Sequence, residues 1–119
     1  MNPSLAKLME RNVLEVFGER NSERRKLAIS ELYMENCTFS DFDSDDQTVG
    51  RDALNSKVDQ LLAGAPGFVF RLAAPALVIR DLGRVRWHFG PAGAEPVVSG
   101  MDVVVFEQGR ISALYAFPS

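Results

Sequence analysis

Few residues that dominate enzyme and metal chemistry occur in this sequence. It has one cysteine (Cys37), one histidine (His88) and one tryptophan (Trp87) in 119 residues. A single cysteine excludes an internal disulfide and cannot build a thiolate metal site alone. No basic run exceeds Arg24-Arg25-Lys26, and 13 Lys and Arg against 16 Asp and Glu leave a net charge of −3. Nucleic acid is not an expected partner, because phosphate binding needs a concentrated positive face. No apolar run approaches the roughly 20 residues that cross a bilayer, and the start lacks the basic-then-apolar layout of a signal peptide. A cytoplasmic protein without membrane contact is expected. There is no Gly-x-Ser-x-Gly turn to support a nucleophilic triad. What the chain does have is an apolar fraction of 46%, enough for a single domain over residues 1–119 with a real core.

The first half reads as helical. Ser4 can cap a helix running to about Phe17, with Leu5, Leu8, Met9, Val13 and Val16 at helical spacing. Asn12 falls inside that stripe. It is either a polar residue meeting a neighbouring helix or an amide donor facing a cavity. Asn21 is a plausible N-cap for a second helix ending near Tyr33, and residues 37–42 read as a strand with Cys37, Phe39 and Asp41 on one face. Gly50 opens a third helix through about Leu62, and Gly64 stops it. The acidic stretch from Asp41 to Asp46 resembles half a calcium loop. However, Asp46 stands where the sharp turn needs Gly, and Asp52 is too short to replace a bidentate Glu. A solvated acidic turn is expected there, and no metal.

From Phe68 onward the pattern is strand-like: residues 68–73, 77–80, 85–89, 97–106 and 111–117, with hairpin turns at 81–83 and 107–109. One carboxyl interrupts this half. Asp102 sits among Met101, Val103, Val104, Val105 and Phe106, so a strand places it beside buried surface. Such a group must be paired, hydrogen-bonded or protonated. Three early helices and a late meander predict an α+β fold, with the helices packed in the concave face of a curved, mostly antiparallel sheet shaped as a cone-like barrel. Several strands are apolar on both parities, and a homodimer through the outer sheet face would cover the second one.

In order and spacing, several short runs carry a resemblance that spans nearly the whole chain: ELYMENCTFSD (31–41), VGRDAL (49–54), Trp87, GMDVVVF (100–106) and GRI (109–111). The chain resembles the nuclear transport factor 2-like superfamily, and within it the SnoaL-like and ketosteroid-isomerase-like small proteins. In the isomerases one Asp moves the proton, while a second, protonated Asp and a Tyr on the first helix donate to the developing enolate oxygen. The resemblance puts Asp41 at the base position and Asp102 at the protonated-donor position. The Tyr position falls on Val13 or Asn12.

These readings imply an apolar pocket that binds a small carbonyl- or hydroxyl-bearing molecule. Asp41 and Asp102 are the catalytic candidates. Asn12, Phe17, Phe39, Phe68, Phe70, Trp87, Met101 and Phe117 are the candidate ligand contacts. As an enzyme the protein would be an isomerase, cyclase or dehydratase-type acid–base catalyst needing no cofactor. The alternative is a non-catalytic ligand-binding or dimeric interaction module. His88 is read as a surface or interface residue.

Overall fold

The computed structural model describes residues 3–118. Helix α1 spans Pro3–Arg11 and runs on without a break into a π-helical segment, Asn12–Phe17. The wider winding is closed by the Gly18 N–H, which donates five residues back to the Val13 carbonyl at 2.9 Å. A side chain at Gly18 would press on the Leu14 carbonyl oxygen, so glycine is what allows the segment to end there. Asn12, Val13, Val16 and Phe17 are all buried along it.

Helix α2 (Ser22–Leu32) begins as the sequence indicates, with the Asn21 side chain accepting from the Arg24 N–H at 2.9 Å. Helix α3 (Arg51–Ala63) follows Gly50, whose φ of 92° suits glycine. Strand β1 (Tyr33–Asp41) starts directly where α2 stops. The strand thus begins four residues before the expected Cys37, with a shift of register between Tyr33 and Thr38 where Glu35 and Asn36 are exposed.

The remaining strands are β2 (Thr48–Val49), β3 (Phe68–Leu72), β4 (Leu77–Ile79), β5 (Leu82–Pro91), β6 (Val98–Glu107) and β7 (Arg110–Pro118). The sheet runs β2-β1-β7-β6-β5-β3, and β4 also pairs with β5. Strands β3 and β4 are therefore not neighbours. They lie end to end along β5, against its residues 87–91 and 82–84 respectively. The first hairpin turn is Arg80-Asp81, one residue earlier than the sequence suggests, and the second is Gln108-Gly109; Arg80, Gln108 and Gly109 are at positive φ. Strand β1 joins β7 in parallel, making the sheet mixed. It is curved around the helices but stays open between β2 and β3, so the cone is not a closed barrel.

A buried cation ties α2 to α3. Arg25 is 0% exposed. Its guanidinium donates to Asn55 Oδ1 and Asp59 Oδ1, each at 2.7 Å, and to the Glu19 carbonyl at 2.9 Å. Helical spacing puts Arg25 in line with the buried Ala28, Ile29 and Leu32, but its residue type makes it look like one of three basic surface residues. Removing the side chain strands several acceptors and opens a void. We expect Arg25→Ala to lower the unfolding free energy in urea by about 3 kcal/mol. Arg11→Ala, at an exposed ion pair with Glu15 and Glu31, should cost less than about 1 kcal/mol.

Candidate functional site

The inner face of β6 carries Gly100, Asp102, Val104 and Phe106, all buried. On β5 the same face carries Val85, Trp87 and Phe89. Trp87 lies across Gly100, where any Cβ would overlap the indole. That close approach lets Trp87 Nε1–H reach one position along the face and donate to Asp102 Oδ1 at 2.9 Å. Asp102 is 5% exposed. Burial pushes its pKa up from 3.8 to about 7, against the opposing pull of the Trp87 hydrogen bond. No other hydrogen bond to the Asp102 side chain is present among the described residues, which leaves its second oxygen to a cavity.

That cavity has a volume of about 210 Å³. Val13 and Phe17 of the π segment, Leu61 of α3, and Phe39, Phe70, Trp87 and Phe89 of the sheet form its apolar wall. The rings brace one another: Phe70 stacks on Phe89 at 4.1 Å, meets Trp87 edge-on at 5.3 Å, and Phe17 tilts against Phe39 at 5.5 Å. The wall also includes Phe42 and Val98, which are 60% and 41% exposed, so the cavity reaches the surface there.

Asp41 stands at this open end. It is partly exposed, lines the cavity, and its Oδ1 accepts from the Asp43 N–H at 3.2 Å. Register relates it to Asp102. Asp41 pairs with Ala116 across β1 and β7, and Ala116 pairs with Asp102 across β7 and β6. The three residues form one row on one face. Their outer Cα atoms are two strand spacings apart, roughly 10 Å, with only a methyl between the two carboxyls.

The cavity thus brings together Asp41, Asp102, Phe17, Phe39, Phe70 and Trp87 from the expected set, and leaves four others off its wall. Met101 and Phe117 pair with each other on the outer face, because alternation turns them away from Asp102; Phe117 is 48% exposed. Phe68 packs edge-on against Phe89 at 5.2 Å, behind the wall. Asn12 is buried, and its Oδ1 accepts from the Tyr33 hydroxyl at 2.6 Å. Tyr33 itself is 0% exposed; burial, then the nearby Asp102, raises its pKa well above the ordinary value. His88 is on the outer face, its Nδ1 2.7 Å from Ser99 Oγ. Sequence reasoning missed Asp43, Phe42, Leu61, Phe89, Val98 and Ala116 as wall residues. The strand parity of Phe89 and Ala116 was the available signal; nothing local marks the others. Among the described residues no group of three His, Cys, Asp or Glu side chains could hold a metal ion. No described helix is long and apolar enough to cross a membrane.

The raised pKa of Asp102 sets a pH dependence for stability. The native state holds this proton up to about pH 7, while an unfolded Asp releases it near 3.9. The contribution is therefore full below about pH 4 and is lost as pH rises through 7, by roughly 4 kcal/mol for a three-unit shift. We expect wild type minus Asp102→Asn, compared by urea unfolding, to decline across pH 4 to 7 and flatten above it.

Comparison with known proteins follows the same lines. The SnoaL-like domain matches residues 11–114. A structure from Agrobacterium tumefaciens str. C58, named provisionally as an isomerase of the SnoaL-like family, superposes with a TM-score of 0.88 at 21% identity over 99% of both chains. One from Jannaschia sp. CCS1, named provisionally as a SnoaL-like polyketide cyclase, gives 0.78 at 12% identity over 97% of this chain and 85% of that one. One from Kribbella flavida DSM 17836, named provisionally as a ketosteroid isomerase, gives 0.73 at 13% identity over 98% and 78%. At these identities the structures speak for the fold alone. No curated protein gives a significant match. With the family domain covering most of its length and the cone of helices and sheet in place, the chain belongs to the SnoaL-like family.

Proposed function

We propose that the cavity binds a small apolar molecule bearing a carbonyl or hydroxyl oxygen and moves a proton on it by acid and base. The observation that carries this is the pair of carboxyls on one row, one buried and raised to about 7, the other at the wet end of the same apolar space. Trp87 occupies Asp102 Oδ1, so the acid proton is available on Oδ2 for the ligand's oxygen. Asp41, held by the Asp43 N–H, faces the carbon end. Removal of a C–H proton by Asp41 sends its electron pair into the C–C bond and onto the oxygen, where the Asp102 O–H bond shares the charge. Return of the proton to another carbon completes an isomerisation; expulsion of a leaving group completes an elimination.

Volume limits the ligand. A cavity near 150 Å³ holds benzene, so about 210 Å³ takes one ring with a short substituent. Four fused rings do not fit inside. The alternative, a non-catalytic carrier, draws support from Val13, an apolar residue on the wall where the isomerases' Tyr is a candidate to fall. Exchange of acetophenone methyl protons in D₂O separates the two. Catalysis predicts acceleration by wild type, a fall of about 10²- to 10⁴-fold in Asp41→Asn, and acetophenone binding retained in that variant. Binding without exchange would support the carrier.

A homodimer through the outer sheet face accompanies this reading. Met101, Val103, Val105, Tyr115 and Phe117 share that face with Leu82 and Ile79, and Ile79 is 77% exposed and Phe117 48%. Light scattering at micromolar concentration should give a dimer mass, and Val103→Glu with Phe117→Glu a monomer. A wild-type monomer would contradict it.

A further inference from the structure

The cavity wall includes three carboxyls, Asp41, Asp43 and Asp102, and no Lys, Arg or His. None of the ion pairs among the described residues involves Asp41 or Asp43. Asp43 is exposed at the mouth. Its backbone N–H serves Asp41, but its side chain makes no hydrogen bond among the described residues. No hydrogen bond or ion pair among the described residues takes up this carboxylate, so its field acts on whatever enters. Deeper in, Asp102 is 5% exposed with one oxygen held by Trp87 and the other left to the cavity, so a ligand's acceptor has a built partner there.

We propose that Asp43 is a charge filter at the mouth, so that the cavity admits uncharged oxygen-bearing molecules and turns away carboxylates, phosphates and sulfates. The inference rests on the ligand-binding reading and narrows its substrate class. The physics is direct. An anion entering past Asp43 and Asp41 passes within several ångströms of two like charges, beside a low-dielectric wall with no compensating cation. At an effective dielectric near 20 this lowers its affinity by roughly tenfold or more relative to a neutral isostere. The mouth is wet, so the discrimination is screened by salt as the Debye length falls from about 10 Å at 0.1 M to about 3 Å at 1 M. Asp43 is separable from the proton-moving pair, because its main-chain bond to Asp41 does not depend on its own side chain.

Acetophenone and benzoate, equal in heavy-atom count and differing in charge, test this. The chain has a single tryptophan, so one indole N–H signal reports on the cavity by NMR. Wild type should bind acetophenone at least roughly tenfold more tightly than benzoate at low salt, with the gap narrowing in 1 M NaCl. Asp43→Asn should narrow it further and Asp43→Lys should close or invert it, read as the ratio of the two affinities within each variant, because the neutral probe senses little of the field. Equal affinity of the two probes for wild type, or an unchanged ratio in Asp43→Lys, would overturn the filter. If neither probe perturbs the Trp87 signal, the ligand-binding reading itself falls, and the filter with it.

Discussion

One hydrogen bond, from the Trp87 indole to Asp102, reconciles a carboxyl with the apolar centre of a strand. The interior offers Asp102 no cation. Its charge is therefore disfavoured by desolvation, and a single neutral donor recovers only part of that cost. The low-energy solution is to keep the proton. A carboxylic acid that keeps its proton up to about pH 7 is a hydrogen-bond donor in a place where ordinary carboxylates only accept. Gly100 belongs to this arrangement as much as the two partners do, since it clears the surface on which the indole lies.

The rest of the site follows from how other elements meet that strand. The parallel pairing of β1 with β7 puts Asp41 two strands from Asp102 on the same row, with Ala116 between them. Either change of pairing by one residue would send one carboxyl to the outer face. The π segment supplies Val13 and Phe17 to the cavity while turning Asn12 toward Tyr33, and that buried bond ties the helix to the start of β1. Opposite, the interlocked rings of Phe70, Phe89 and Trp87 hold the wall rigid. The hollow persists because these groups brace one another around it and no side chain long enough to fill it stands at position 116.

Much of this was legible in the sequence, for reasons that are local. The Asn21 cap, the Gly50 start and the turn at Gln108-Gly109 are short-range signals, and the structure places each within a residue or two. The exception inside an apolar strand, Asp102, was visible as a violation of burial rules, and such violations tend to mark function. Alternation also separates Met101 from its neighbour Asp102, so its place on the outer face was readable too, and it outranks the general attraction of apolar residues to a pocket; Phe117 joins it there only through the register of β6 with β7. What was not legible is non-local. Nothing in β1 announces a parallel partner about 75 residues away. The two-residue strand β2 is too short for any pattern, and Arg25 is a core residue only because Asn55 and Asp59 on another helix wait for it. Tyr33 reads as the end of an amphipathic helix until the fold sets its hydroxyl against Asn12.

The central claim is that Asp102 keeps its proton up to about pH 7 in the folded protein. Selective carbon-13 labelling of aspartate, with the Asp102 carboxyl assigned by comparison with Asp102→Asn, allows its titration to be followed directly by NMR. The account predicts a midpoint near 7. A midpoint near the unperturbed value of about 3.9 would show an ionised, accepting carboxylate and contradict it.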